Sequence, residues 1–235
     1  MQLFYLENIS ESVPEAFFDR EESKHIVRVL RKQAGDLLHV TDGKGNLYST
    51  EIQLATDQKC VVKIVSAEKS TARPYSLHLA VAPTKMNERY EWFLEKATEI
   101  GINEITPLIC DHSERKVIKA ERFEKIILAA MKQSLQTHLP QLHPAKTFKE
   151  WISEERDGIK LIAHCGTGEK HSLATAVTPQ KKVTLLIGPE GDFSPAEIQQ
   201  ALEAGYTPVS LGDTRLRTET AAIVACHSIA FINQQ

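Results

Sequence analysis

The chain has 235 residues, 42% hydrophobic and 25% charged, with a formal net charge of −3. It is long enough for one large domain or two small ones, and its sum of charges does not announce a nucleic-acid binder, although a basic face can hide inside such a sum. No apolar run is long enough to span a bilayer, and the opening "MQLFYLENISES" turns acidic too early for a signal peptide, so a cytoplasmic protein without membrane contact is expected.

The first seventy residues read as strand-rich. "LLHVTD" and "NLYSTEIQLA" flank Gly43-Lys44-Gly45, and "KCVVKIVSAEK" follows the turn "ATDQK". Alternating apolar residues between Asp/Gly turns predict a small antiparallel barrel. One helix interrupts it, "REESKHIVRVLRKQ", with Ile26, Val27, Val29 and Leu30 turned inward. Lys24, Arg28, Arg31 and Lys32 recur along one edge at helical spacing, either as a solvated face or as an RNA contact. "SAEKSTARPYS" is a polar linker, which divides the chain into domains 1–70 and 71–235.

After the linker the rhythm changes. The apolar strands "LHLAVA", "EITPLIC", "KLIAHC", "VTLLI" and "PVSL" alternate with the helices "NERYEWFLEKATEIG", "ERFEKIILAAMKQSLQTH", "FKEWISEE", "PAEIQQALEAG" and "ETAAIVACHSIAFI". This alternation predicts an α/β domain with a mainly parallel sheet covered on both faces. Trp92 and Phe93, adjacent on the first of these helices, are expected in the core.

The stretch "VTLLIGPEGDFSPAEI" delivers Gly188 at the carboxyl end of a strand, where open α/β sheets bind ligands. Ser194, Pro195 and Glu197 then spell a capped helix start. Glu190 and Asp192 lie inside the loop. Two carboxylates repel a phosphate, and neither GxGxxG nor GxxxxGK[ST] occurs, so the turn suits a neutral or cationic ligand or is an ordinary strand–helix connection. "PVSLGDTRLRTETA" repeats the design: a strand, Gly212, a loop with Arg215, Arg217 and Glu219, then a helix rich in small residues. That helix is apolar nearly all round, so it is expected to be deeply packed or at a subunit interface. Two such loops in one sheet can converge on one ligand.

The remaining constellations are weak. "CDHSER" sets Cys110, Asp111 and His112 side by side, but adjacent residues rarely face one metal, and no HExxH or comparable spacing occurs, so no metal site is expected. The four cysteines form no CxxC pair and read as reduced thiols. GxSxG is absent, which removes serine-hydrolase chemistry.

"LLIGPEGDFSPAEI" together with "LGDTRLRTETA" resembles the signature of the RsmE-type ribosomal RNA uracil-N3 methyltransferases of the SPOUT superfamily. "HIVRVLRKQAGDLLHVTDGKG" resembles their N-terminal PUA-like barrel, and "KMNERYEWFLEKATEIGINEITPL" the start of their catalytic domain. The resemblance implies a C-terminal domain with a deep trefoil knot, a PUA-like β-barrel before it, a homodimer, and S-adenosylmethionine as cofactor. It implies that Ile187, Gly188, Pro189, Glu190 and Gly191 line one side of that cofactor. Leu211, Gly212, Leu216, Arg217, Glu219, Thr220 and Ala221 line the other. The implied substrate is a uridine N3 in 16S ribosomal RNA or the small ribosomal subunit. Arg217 is expected to stabilise the uracil anion, and Glu219 or Glu190 to take its proton. RNA contacts are expected at Lys24, Arg28, Arg31 and Lys32, and at Lys85, Arg89 and Arg115. Asp192 stands where the family often has a third glycine, and Gln136 where an arginine is common. Two other readings remain: a knotted methyltransferase acting on a ribose 2′-hydroxyl, and a non-catalytic ribosome-assembly factor.

Overall fold

The computed structural model describes residues 1–13 and 15–234. They form two compact units, Met1–Ala72 with Met131–Leu139, and Arg73–Ala130 with Pro140 to the C-terminus. A single cut near residue 70 makes no provision for Met131–Leu139. In that segment the Gly45 amide donates to the carbonyl of Thr137, and the Leu139 amide to that of Gly43.

In the first unit, β1 (Leu3–Tyr5), β2 (Glu15–Phe18), β3 (Leu37–Thr41), β4 (Asn46–Ala55) and β5 (Cys60–Lys69) form one sheet in the order β1-β3-β4-β5-β2. The sheet is not wholly antiparallel as expected, because β1 pairs with β3 in parallel. Turn signals between neighbouring strands cannot announce a pairing that skips β2 and a helix. Register shifts at Ser49/Thr50 and Ile52/Leu54 bend β4 against β5. Phe4, Phe18, Val40, Ile52 and Val62 form the core together with Ile26.

The helix of this unit departs from its expected span. α1 (Arg20–Lys24), capped by Asp19, passes into a wide π turn over His25–Val29. The wider turn shifts the phase, so Ile26 is buried while Val29, expected inward, is 65% exposed. Arg31 then takes a positive φ of 56°. Lys24, Arg28, Arg31 and Lys32 therefore do not share one helical ridge. Arg28 is committed to Asp57, its Nε donating to Oδ2 at 2.6 Å.

In the second unit, β6 (Ser76–Val81), β7 (Glu104–Ile109), β10 (Ile159–Ala163), β12 (Lys182–Ile187) and β13 (Thr207–Ser210) run parallel, joined by the two-residue strands β8 (Gln141–Leu142) and β11 (His171–Ser172). Their order is β11-β13-β10-β12-β6-β7-β8, and β9 (Lys146–Thr147) adds to the far half of β7. Burial on both faces is why these strands read as continuous apolar runs. Ala80, Leu186 and Ile162 are register partners. They pack under α4 (Phe148–Ile152) and α6 (Pro195–Glu203), with Trp151 Nε1 donating to the Tyr206 hydroxyl at 2.9 Å. Leu79, Leu185 and Leu161, one residue earlier, point to the opposite face. There α7 (Thr218–Ile232) packs on β6 and on α2 (Asn87–Ile100).

Most boundaries follow local signals. Ser194 and Glu197 form the reciprocal capping box that the sequence spells, with Pro195 in the first turn. α3 (Ala120–Gln133) stops five residues short of His138, because Leu135 adopts a left-handed φ of 58°. Phe93 is buried as expected. Trp92 is 47% exposed, which corrects its assignment to the core. No described helix is long and apolar enough to cross a membrane.

Candidate functional site

Strand order decides where the two glycine loops meet. β12 and β13 are not neighbours; β10 lies between them, and all three run parallel. Their carboxyl ends therefore open on the same side, and the loops after them enclose a cavity of about 500 Å³. That size accommodates a nucleoside-bearing small molecule.

Ile187, Gly188, Pro189 and Glu190 line one wall, as expected, and Leu211, Gly212, Leu216, Arg217 and Ala221 the other. Three expected residues do not line it. Gly191 turns away from the cavity, where a Cβ would lie 3.1 Å from that of His112. Thr220 and Glu219 sit in the first turn of α7 but face elsewhere. The helical period of about 100° per residue puts Thr218 and Ala221 on the cavity side and the two between them off it.

Glu219 is buried, with Oε1 3.8 Å from Arg89 Nε and Oε2 without a hydrogen-bond partner among the described residues. Arg217, at the N-cap of α7, is exposed at the cavity, and its guanidinium makes no protein hydrogen bond or ion pair among the described residues. A free guanidinium at the mouth of a cavity can meet a substrate without first breaking an internal pair.

Sequence reasoning missed the middle of the site. Ala163, His164 and Cys165, at the end of β10, line the cavity between the two loops. The quoted strand "KLIAHC" contains them, but nothing local says that β10 inserts between β12 and β13. His164 carries a buried Nδ1 without a partner among the described residues. Burial, with Lys170 nearby, lowers its pKa, so the ring is neutral at physiological pH. An orphaned ring nitrogen, accessible glycine backbone and mixed charge from Glu190, Asp192, Lys170 and Arg217 fit a zwitterionic, sulfonium-bearing nucleoside such as S-adenosylmethionine.

Asp192 explains its own departure from glycine. It adopts a φ of 64°, the left-handed region that aspartate tolerates better than most residues. Its Oδ1 accepts from the Phe193 amide at 2.9 Å and its Oδ2 from the Cys165 amide at 2.8 Å. The side chain thus ties the first loop to the end of β10.

A second tie crosses the cavity. The buried Thr218 hydroxyl donates to the Gly188 carbonyl at 3.0 Å, joining the first turn of α7 to the loop after β12. Thr218→Val keeps the shape and removes the donor. It is expected to cost about 1–2 kcal/mol of stability and to weaken cofactor binding. Thermal melts with and without cofactor check this; a variant unchanged in both would show the tie to be idle.

The expected RNA contacts are less free than their charges suggest. Besides Arg28, Lys85 pairs with Glu114 at 2.8 Å, Arg89 faces Glu219, and Arg115 donates to the carbonyls of Thr84 and Lys85. Lys24 and Arg31 are exposed and Lys32 is half-buried.

At the opposite ends of the strands, His78, Glu104 and His143 converge within 4.8 Å of one another. Three different strand regions supply them, so no sequence spacing reveals the group. Hydrogen bonds occupy it: His143 Nε2 to Glu104 Oε2 and His78 Nε2 to Thr106 Oγ1, both at 2.8 Å.

The profile of the RNA methyltransferase domain family matches residues 71–230, and that of the RNA methyltransferase PUA domain residues 18–65. The ribosomal RNA small subunit methyltransferase E of Buchnera aphidicola subsp. Acyrthosiphon pisum (strain APS) is 30% identical over 220 residues, 89% of this chain and 85% of that protein. A probable rRNA-methyltransferase from Porphyromonas gingivalis superposes with a TM-score of 0.92 at 40% identity, covering 100% of this chain and 99% of its own. A ribosomal RNA small subunit methyltransferase E from Neisseria gonorrhoeae, solved bound to S-adenosyl methionine, superposes with a TM-score of 0.85 at 25% identity. That match covers 98% of this chain and 97% of the other.

Proposed function

The chain belongs to the RNA methyltransferase family that includes the ribosomal RNA small subunit methyltransferases E, and from that premise we propose that it methylates N3 of a uridine in 16S ribosomal RNA. It is an S-adenosylmethionine-dependent rRNA methyltransferase. The observation that carries the reading is the convergence of the two glycine loops on one cavity beside an uncommitted Arg217.

S-adenosylmethionine, when bound, supplies an electrophilic methyl group on a sulfonium. The residues of the chain have the complementary tasks. Ile187–Glu190 and Leu211–Gly212 would present backbone groups to the adenosine, while Asp192 ties the first of these loops to the end of β10 and Thr218 ties it to the first turn of α7. The uracil N3–H is weakly acidic, so N3 becomes nucleophilic as its proton departs. Arg217 stabilises the charge that then spreads over the flanking carbonyl oxygens. Glu190, on the cavity wall, is better placed than Glu219 to receive the proton. Glu219 faces Arg89 and positions it.

Finer features belong to the same reading. β13 and β6 are separated by β10 and β12, yet α7, which follows β13, packs on β6. The chain must therefore cross back past the loops after β10 and β12, and that path supports the trefoil knot. Phe231 on α7 and Trp92 on α2 are each about half exposed, which supports a homodimer through this helical face. The first unit, with its PUA domain match, would bind RNA, with Lys24 and Arg31 among its exposed cations. A cytoplasmic location follows from an rRNA substrate.

Nucleoside mass spectrometry of ribosomal RNA from a deletion strain tests the proposal. Loss of 3-methyluridine, restored by the intact gene, is the expected result. Loss of a 2′-O-methyl nucleoside instead would move the activity to the ribose, and no change in either would overturn the proposed target atom.

A further inference from the structure

The segment Cys110–Arg115 follows β7, lies outside the cavity lining, and carries the "CDHSER" run, for which no metal role is expected. Its hydrogen bonds go to the two neighbouring loops. His112 Nδ1 lies 3.0 Å from the carbonyls of both Gly191 and Asp192, so its N–H bridges the tip of the loop after β12. Asp111 is engaged twice: its amide donates to Glu197 Oε1 at 2.9 Å, and its Oδ2 accepts from the Ser194 hydroxyl at 2.7 Å. Those two partners are the capping box of α6, buried where the cofactor loop enters the helix.

The other end of the segment reaches the loop after β6. Arg115 Nε donates to the Thr84 carbonyl at 3.2 Å, and its NH2 group to the Lys85 carbonyl at 2.8 Å. Glu114 pairs with the Lys85 ammonium. The Lys85 amide then donates to Glu190 Oε1 at 2.9 Å, and Glu190 lines the cavity. The contacts close a ring: Glu190 to Lys85, Lys85 to Arg115, and His112 back to Gly191. Gly191 permits the close approach, since a Cβ there would already crowd His112 at 3.1 Å.

We propose that Cys110–Arg115 is a strap that sets the geometry of the cofactor loop, with Asp111, His112 and Arg115 as positioning residues. This rests on the methyltransferase reading of the cavity. It also reassigns Arg115 from RNA contact to internal support, because its guanidinium is spent on two carbonyls of the same unit. A loop whose outer surface is held in this way reaches the cofactor already in its bound shape, so less ordering is required on binding.

The test compares His112→Ala, Asp111→Ala and Arg115→Ala with the conservative His112→Asn and Asp111→Asn in the full-length protein. The side-chain amide introduced by His112→Asn keeps an N–H near the position of Nδ1, and the one introduced by Asp111→Asn keeps an acceptor for Ser194. The alanine variants are expected to raise the Kd and KM for S-adenosylmethionine about tenfold, the loss of roughly 1.4 kcal/mol. At saturating cofactor, kcat and the affinity for a 16S rRNA fragment stay near wild type, and the asparagine variants recover most of the loss. Asp111 and His112 are exposed, so the melting temperature should hold. Unchanged cofactor affinity in the alanine variants, with weakened and less salt-dependent RNA binding for Arg115→Ala, would return the segment to the RNA surface and overturn the strap. If wild-type protein itself fails to bind S-adenosylmethionine in calorimetry, the underlying reading falls and takes this inference with it.

Discussion

Replacing Arg217 with alanine is expected to slow methyl transfer by about 10²–10³-fold while S-adenosylmethionine binds within a few-fold of its wild-type affinity. The asymmetry follows from the position of Arg217. Ile187–Glu190, Leu211 and Gly212 line the cavity, and on the proposed reading they would hold the cofactor through backbone groups that the substitution leaves in place. The guanidinium has no internal partner among the described residues, so its removal orphans no buried charge and should spare the fold. On the proposed mechanism, what is lost is a cation at the place where the target base acquires negative charge. Arg217→Lys keeps a charge but not the planar fork, and an intermediate rate is expected. Single-turnover methylation at saturating cofactor, beside calorimetric cofactor binding, separates the two effects. Parallel losses of rate and affinity would make Arg217 a cofactor ligand and remove its charge-stabilising role.

Stability is expected to fall as pH is lowered from about 6.5 toward 4, and His78 is the main cause. Burial pushes its pKa down from 6.5 to about 4. The carboxylate of Glu104 works against that shift, whereas His143, Arg156 and Lys182 reinforce it. His78 is wedged edge-on against Trp151 and stacked on His143, so the folded protein has little room to hydrate an imidazolium. With the folded pKa below the unfolded value, the unfolded chain binds more protons between those limits. Folding free energy is then complete above about pH 6.5 and declines as pH drops through the window, by on the order of 3 kcal/mol at most. Burial is the largest single influence on Glu104 and works against its charged form, but the His143 hydrogen bond and the charges of His78, His143 and Lys182 together outweigh it and lower that pKa, so any Glu104 contribution is lost on acidification as well. Urea unfolding of wild type and His78→Gln at several pH values between neutrality and the lower end of that window measures the effect. The variant should be less stable at neutral pH yet lose much less on acidification; parallel pH slopes for the two proteins would place the linkage elsewhere.

The strap and His78 show two ways in which local reading falls short. "CDHSER" invites reading as a ligand cluster because sequence shows which residues are adjacent along the chain. The partners of Asp111 and His112, Gly191, Asp192, Ser194 and Glu197, lie some eighty residues away, and those of Arg115, Thr84 and Lys85, about thirty. His78, Glu104 and His143 meet because β6, β7 and β8 are neighbours, a fact of strand order rather than spacing. The assumption that cations serve RNA meets the same limit. Arg28, Lys85 and Arg115 look free in a composition and are committed in the fold.

Much is nevertheless legible from local signals. The capping box at Ser194–Glu197, the apolar strands before Gly188 and Gly212, and the span of β4 depend on residues within a few positions of each other, where propensity, capping and side-chain period act directly. Those signals place two glycine loops at the ends of two buried strands, and the family resemblance adds Ile187–Glu190, Leu211, Gly212, Leu216, Arg217 and Ala221, all of which line the cavity. Which strand lies between them is not a local property. Parallel strands are paired by backbone hydrogen bonds across long crossovers, and only that pairing puts His164 and Cys165 between the loops. It also turns Gly191 toward His112, while the helical phase of α7 carries Glu219 away from the cavity. Residue order alone thus specifies most elements and the two glycine loops, and the family resemblance adds the cofactor they suit. Which side chains meet that cofactor, and which hold the loops in place, is settled by the packed fold, because long-range pairing fixes the direction in which each strand end points.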